Sequence, residues 1–264
     1  MNSLANDPRS TPDLFRTALQ SDSDHAWDAV AALHWRGSKE VLDRALALSS
    51  SENVSERARA ADILGQLGIP ERTFPNQCFD ALLHLLSDDA QQVVFSAIFG
   101  IQHLDRVKAA PHVLPFANHQ DDNIRYAAAF ALGAVNTPDA IAALLMLMGD
   151  GDDEVRNWAT FGVGQQSEAD SEEIRAALAA RLNDDDPDVR YEAICGLGRR
   201  RDGRAMGFLK TILHDDPDDT FAREAAAKLL GLDESRDTAT SELLGALQRR
   251  QRWTSSRAGG ANRR

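Results

Sequence analysis

The sequence is poor in the residues that build covalent or metal-centred frameworks. Its 264 residues include two cysteines, Cys78 and Cys195, and no Cys-x-x-Cys pair. A disulfide framework and a multi-cysteine zinc site are therefore excluded. No apolar run approaches the roughly 20 residues of a membrane span, and the first eleven residues lack the basic and apolar regions of a secretory signal. We expect a cytoplasmic protein that does not bind membranes.

Catalytic and metal-binding motifs are also missing. The sequence contains no GxSxG, no phosphate-binding GxxxxGK[ST] and no GxGxxG. The run Asp184-x-Asp186-x-Asp188 begins like a calcium loop, but it lacks the required glycine, and Cys195 stands where that loop needs a glutamate. The sequence therefore predicts no catalytic residue, no metal and no cofactor.

Acid is in excess, and it is unevenly distributed. The chain has 41 Asp+Glu against 29 Lys+Arg, a net charge of −12. Six arginines and no acid follow Gln248, so residues 1–248 carry −18 and residues 249–264 carry +6. An acidic body favours basic or neutral protein partners and repels nucleic acid. The Arg-rich tail is the one segment suited to nucleic acid, and we interpret it as a flexible solubilising end.

A repeated pattern organises most of the chain. The stretch Ile124–Gly133 recurs at Val155–Gly164 and Val189–Gly198, and weaker copies begin at residues 26, 56, 93 and 222. The steps of 30 to 37 residues are typical of a two-helix solenoid unit. Positions 0, 4 and 8 of each copy are mostly apolar, with a near-constant alanine in the middle, and therefore share one helix face.

Glycine and acidic residues mark the ends of each copy. Glycine stands nine residues after the start in five copies, where it permits a tight exit or a close backbone contact. Acidic clusters precede the second helices and suit helix capping. They are Asp88-Asp89, Asp121-Asp122, Asp152-Asp153-Glu154, Asp184-Asp185-Asp186 and Asp215-Asp216.

The Val-Arg start, the alanine, the Leu-Gly and the acidic turn together resemble HEAT repeats of the bacterial EZ type, also called phycobilisome-lyase-like, over residues 22–232. The segment from Val155 to Leu197 is similar to a subset of small bacterial HEAT proteins, the YibA-like proteins, some of which are encoded beside polymorphic toxins. The resemblance implies an all-α superhelix, a HEAT-repeat solenoid of about seven helical hairpins plus a C-terminal helix. We predict a flexible N-terminus at 1–12, the solenoid at 13–248 and the basic flexible tail at 249–264.

An arginine column opens the second helices. Arginine in a first helical turn faces the unfavourable end of the helix dipole and needs a local anion. We favour a structural ladder of Arg–Asp pairs between adjacent turns over an anion-binding edge. Its members are Arg57, Arg125, Arg156, Arg190 and Arg223.

A polar and aromatic set lies beside the apolar face of the second helices. In HEAT solenoids these helices generally line the concave surface, so the resemblance places the set on its floor. We expect the phenylalanines there to pack between repeats, and the residues with polar tips to contact a partner. The predicted partner-binding residues are Tyr126, Asn157, Trp158, Tyr191 and Glu192.

The sequence thus favours a non-catalytic scaffold that binds a protein partner on its concave face. The resemblance sharpens this to a toxin-neutralising immunity protein. The alternative, suggested by the other name of the repeat family, is a bilin lyase-like or chaperone-like subunit acting on a partner protein.

Overall fold

Most helices begin at a side chain that caps them, so the repeat pattern and the helix boundaries nearly coincide. The computed structural model describes residues 6–20, 23–232 and 238–261, and these residues form helices and turns with no strand. The α-helices are α1 Thr11–Ala18, α2 Asp24–Arg36, α3 Lys39–Leu48, α4 Val54–Gly65, α5 Pro75–Leu85, α6 Gln91–Val113, α7 Asp122–Leu132, α8 Pro138–Leu147, α9 Asp153–Phe161, α10 Glu172–Ala180, α11 Pro187–Arg199, α12 Met206–Asp215, α13 Thr220–Leu230 and α14 Thr240–Ala261.

Consecutive helices pair into seven hairpins. Helix α6 supplies the second helix of the third hairpin and, after a kink at Asp105, the first helix of the fourth. Helix α14 packs on α12 and α13 and closes the series, with Leu243 and Leu247 fully buried. The predicted all-α fold of about seven hairpins plus a C-terminal helix is therefore confirmed.

The chain divides into two compact units, Met1–Val135 and Asn136–Arg264. In both units the apolar column forms the core between first and second helices. The column alanine is fully buried in six copies, at positions 60, 97, 128, 159, 193 and 226. A small side chain there is expected to let a neighbouring helix lie close, and full burial of the alanine agrees with this.

The aspartates of the turns have two different roles. Asp121, Asp152 and Asp186 accept hydrogen bonds from the first-turn amides of α7, α9 and α11, which is the expected capping. Two clusters do not cap. Asp88 binds an arginine, and α6 begins after Ala90 without a side-chain cap. The cluster at 215–216 ends α12, and Asp219 caps α13 instead.

The two predicted flexible ends overlap with helices. Helix α1 begins at Thr11, capped by Ser10, and the Arg36 guanidinium donates to the backbone oxygens of Asp7 and Arg9 at 3.2 and 2.7 Å. Helix α14 continues through residue 248 to Ala261, so the basic segment 249–261 extends that helix. Residues 1–5 and 262–264 lie outside the described part of the chain, and the flexibility of both ends stays a prediction.

Ala128 tests the tight helix contact. The side chain is fully buried in the middle of α7. Ala128→Leu is expected to destabilise the protein by about 1–3 kcal/mol, because the added methyl groups overpack the contact. A thermal melt reports the effect, and an unchanged melting temperature would show that the register of the column is wrong.

Candidate partner-binding surface

The arginine column is anchored by backbone carbonyls. In four members, Nη1 donates to the carbonyl oxygens five and six residues earlier, at the turn between the two helices of the hairpin. For Arg190 these are the oxygens of Asp184 and Asp185, at 2.6 and 3.0 Å. The fifth member, Arg223, donates from Nη2 to the oxygen of Thr238 at 3.0 Å. The guanidinium therefore satisfies turn carbonyls, which offsets its position at the helix start.

Two members add an ion pair to the following repeat. Arg57 binds Asp88 in a two-pronged pair at 2.6 and 2.9 Å, and Arg156 binds Asp184 at 2.9 and 3.2 Å. The bond from Arg57 holds the pKa of Asp88 below its usual range. Burial raises the pKa of Asp184, but the hydrogen bonds it accepts, including that from Arg156, outweigh burial and leave the pKa lowered. These pairs give the predicted ladder its rungs at two positions.

In the second unit, two predicted residues already have partners within the chain. Trp158 is half-buried, and its ring meets the ring of Phe161 edge-on at 5.6 Å. The Tyr191 hydroxyl donates to Asp219 at 2.7 Å, and burial raises its pKa. The polar tip of Tyr191 therefore contacts the cap of α13, where the sequence pattern had suggested solvent or a partner protein.

The other two predicted residues of this unit include buried polar atoms. The Oδ1 of Asn157 is buried without a hydrogen-bond partner. Glu192 is half-buried and accepts a hydrogen bond from the Nε2 of Gln165. Burial raises the pKa of Glu192 to about 7, and the negative charges of Asp188 and Asp219 act in the same direction.

In the first unit, Tyr126 belongs to a row of half-buried rings on α6 and α7. Its ring stacks on Phe95 at 6.3 Å and lies 5.9 Å from Phe99, which contacts Phe130 at 4.8 Å. Each of these rings keeps part of its surface in solvent. The phenylalanines thus pack against one another, as expected, and also form part of the surface.

A groove runs beside this row, along the second helices α2, α4 and α6. A cavity of about 450 Å³ is lined by Trp27, Arg59 and Phe95, among others, and a neighbouring one of about 270 Å³ adds Phe99. Trp27 is 44% exposed, and the Arg59 guanidinium lies 4.4 Å above its ring. Sequence reasoning missed this groove, although Trp27 occupies the arginine position of the first copy and breaks the column.

Within the described part of the chain, no group of three or more His, Cys, Asp or Glu side chains is placed to hold a metal ion. None of the described helices is long and apolar enough to cross a membrane. The two cysteines are buried, and burial raises the pKa of the Cys195 thiol to about 12.

The repeat geometry is matched by known proteins. A family model for HEAT repeats matches residues 79–164, 147–231 and 174–258. The protein YibA of Escherichia coli K12 is 30% identical over 218 residues, which cover 77% of this chain and 76% of YibA. The chain belongs to the HEAT-repeat family. The HEAT-repeat solenoid implied by the Val-Arg, alanine and Leu-Gly pattern is therefore confirmed, as is the similarity to YibA.

Solved structures with the same fold include one close in sequence and one more distant. The X-ray structure of E. coli YibA has a TM-score of 0.73 at 26% identity, covering 94% of this chain and 95% of YibA. The complex of CpcE and CpcF of phycocyanin lyase from Nostoc contains a chain that matches with a TM-score of 0.50 at 20% identity. The match covers 92% of the present protein and 96% of the Nostoc chain. The second likeness is one of fold.

Proposed function

We propose that this HEAT-repeat protein is a non-catalytic scaffold that binds a protein partner on the exposed faces of its second helices. One observation carries the proposal: partly exposed aromatic side chains gather on these helices in both units. They include Trp27 on α2, Phe95 and Phe99 on α6, Tyr126 and Phe130 on α7, Trp158 and Phe161 on α9, and Tyr191 on α11. Aromatic residues are the commonest anchors of protein interfaces.

The proposal extends to the partner's class. The charge of −18 on residues 1–248 favours a basic or neutral partner. The resemblance to YibA-like proteins supports a toxin-neutralising immunity role in the cytoplasm, where an acidic protein would mask a basic toxin. The alternative is a bilin lyase-like or chaperone-like subunit. It is supported by the similarity in fold to a chain of the CpcE–CpcF complex.

Trp158 offers a direct test of the binding face. A tagged chain is used to isolate its partner from a lysate of the source organism, and the affinity for the purified partner is then measured. Trp158→Ala is expected to weaken binding about tenfold or more, because a central aromatic anchor is lost. Tyr191→Phe is added as a second variant, since it removes the hydroxyl but keeps the ring.

Phe208→Ala is the matched control. Phe208 is also an exposed aromatic residue, 37% exposed, but it lies on the first helix α12. The control should bind within about twofold of the unmodified protein. Equal losses in both variants would refute the assignment to the second helices. A visible absorption band from a bound open-chain tetrapyrrole, with activity on an apo-phycobiliprotein, would favour the lyase-like alternative.

A further inference from the structure

Glu192, one of the predicted partner-binding residues, forms a polar pair with Gln165, which the sequence pattern did not single out. Gln165 is 7% exposed, and its Nε2 donates to the Glu192 carboxylate, so the amide is directed at that group. The Oε1 of the same amide is buried, and it accepts no hydrogen bond from the described residues. A buried acceptor without a donor is costly and calls for an explanation, and a ligand that supplies the donor is one.

The surroundings of this pair are rich in acceptors. Asp188 and Asp219 add negative charge at Glu192, and Asn157 on the adjacent helix α9 holds a second buried oxygen without a donor. Such a site attracts a cation that brings several N–H donors.

The nearby arginines of α11 are already engaged. Arg199 donates to the backbone oxygen of Gln165 at 2.7 Å and lies 3.8 Å from both Glu168 and Glu224. Arg190 is held by the turn carbonyls described above. These two arginines are therefore directed elsewhere, and the Gln165 amide lies beside the Glu192 carboxylate.

We infer that Gln165 and Glu192 form a receptor for an arginine side chain of the partner protein. A guanidinium is planar and carries five donors, so it can reach an amide oxygen and a carboxylate together, and it remains charged when partly buried. The inference rests on the proposed function, since the second-helix face must be the binding face for an arginine to arrive there.

Methylguanidinium is the probe for this receptor, and N-methylurea is its neutral counterpart of similar shape. The full chain, labelled with ¹⁵N, is titrated with each compound to about 50 mM at constant ionic strength, since a fragment of this size binds in the millimolar range. We expect a saturable shift of the Gln165 side-chain amide signals with methylguanidinium only. The bound cation should also lower the pKa of Glu192.

Glu192→Gln keeps the side-chain volume and removes the charge, so it should weaken the response at least tenfold. Glu168→Gln is the matched control, because the Glu168 side chain is 86% exposed, and it should leave the response unchanged. The inference is overturned if the unmodified protein shows no saturable shift, or if N-methylurea gives the same shift. Both results are independent of the captured partner, so they leave the test of the proposed function intact.

Discussion

Arg200→Met is expected to destabilise the second unit by about 3–5 kcal/mol, the largest effect we expect from a single substitution. Arg200 is 8% exposed, and its guanidinium donates to five backbone carbonyls. These are the oxygens of Val163 at 2.6 Å, Gly164 at 2.9 Å, Ser167 at 3.1 Å, Ala169 at 2.9 Å and Gly196 at 3.1 Å. The side chain thus holds residues 163–169, which follow α9, against α11.

Methionine replaces the unbranched stem of arginine as far as Nε and removes every donor. Each buried carbonyl that loses its partner costs about 1–3 kcal/mol, while removal of a buried charge returns part of its desolvation free energy. That desolvation is evident in Arg200 itself, since burial lowers its pKa. The net loss is therefore expected to be smaller than the sum of the costs of the five carbonyls.

Urea denaturation measures the change, and Arg201→Met is the matched control. Arg201 is exposed and directly follows Arg200. Its positive φ of 57° is equally demanding for arginine and methionine, so the control isolates the buried contacts. The control should stay within about 0.5 kcal/mol of the unmodified protein. If the two variants unfold at the same urea concentration, the hydrogen bonds from Arg200 to the five carbonyls do not stabilise the unit.

The sequence predicts the hairpins because the features that form them are local and repeated. Ile124, Ala128 and Leu132 lie four residues apart and are all buried on one face of α7. The same spacing recurs in the other copies, so each copy supports the interpretation of the next. Helix starts at Asp121 and Asp152 follow for the same reason, since a cap acts on amides within three residues of itself.

The contacts that escape prediction connect residues about one repeat apart. Arg200 reaches carbonyls 31 to 37 residues earlier and lies just past the repeated motif, where no column includes it. Tyr191 lies within a column, yet its hydroxyl meets Asp219 in the next hairpin. A column shows which residues share a face, but the partner of a long polar side chain depends on how neighbouring hairpins stack.

The groove of the first unit was missed for a related reason. Trp27 stands at the position where five of the six later copies have arginine, so the first copy matches the repeat pattern weakly. In the structure the indole forms part of the groove wall, and Arg59 from the next second helix covers it. The departure from the repeat was itself the signal, because a large exposed aromatic side chain at a position that is otherwise mostly arginine suggests contact with a partner.

Gly196→Val is the second substitution with a large expected effect, a loss of about 3 kcal/mol or more. A Cβ at Gly196 would lie 2.6 Å from the Cα of Gly164 and 3.1 Å from a methyl group of Leu178. The first of these is backbone and cannot rotate away, so α11 and the helical turn that continues α9, Gly162–Gln166, would have to separate. Gly164, the glycine at the end of its copy, is thus needed together with Gly196 for the close approach of these two helical segments.

Gly207→Val provides the control, because Gly207 is also helical, on α12, and a Cβ there would meet nothing within 4 Å. Valine has a slightly better helix propensity than glycine, so the control should lie within about 0.5 kcal/mol of the unmodified protein. Urea denaturation of both variants, with circular dichroism to confirm helix content, compares the same substitution in a crowded and an open position. A loss shared by both variants would assign the effect to valine in a helix and would remove the evidence that the glycine contact sets the spacing of these two helical segments.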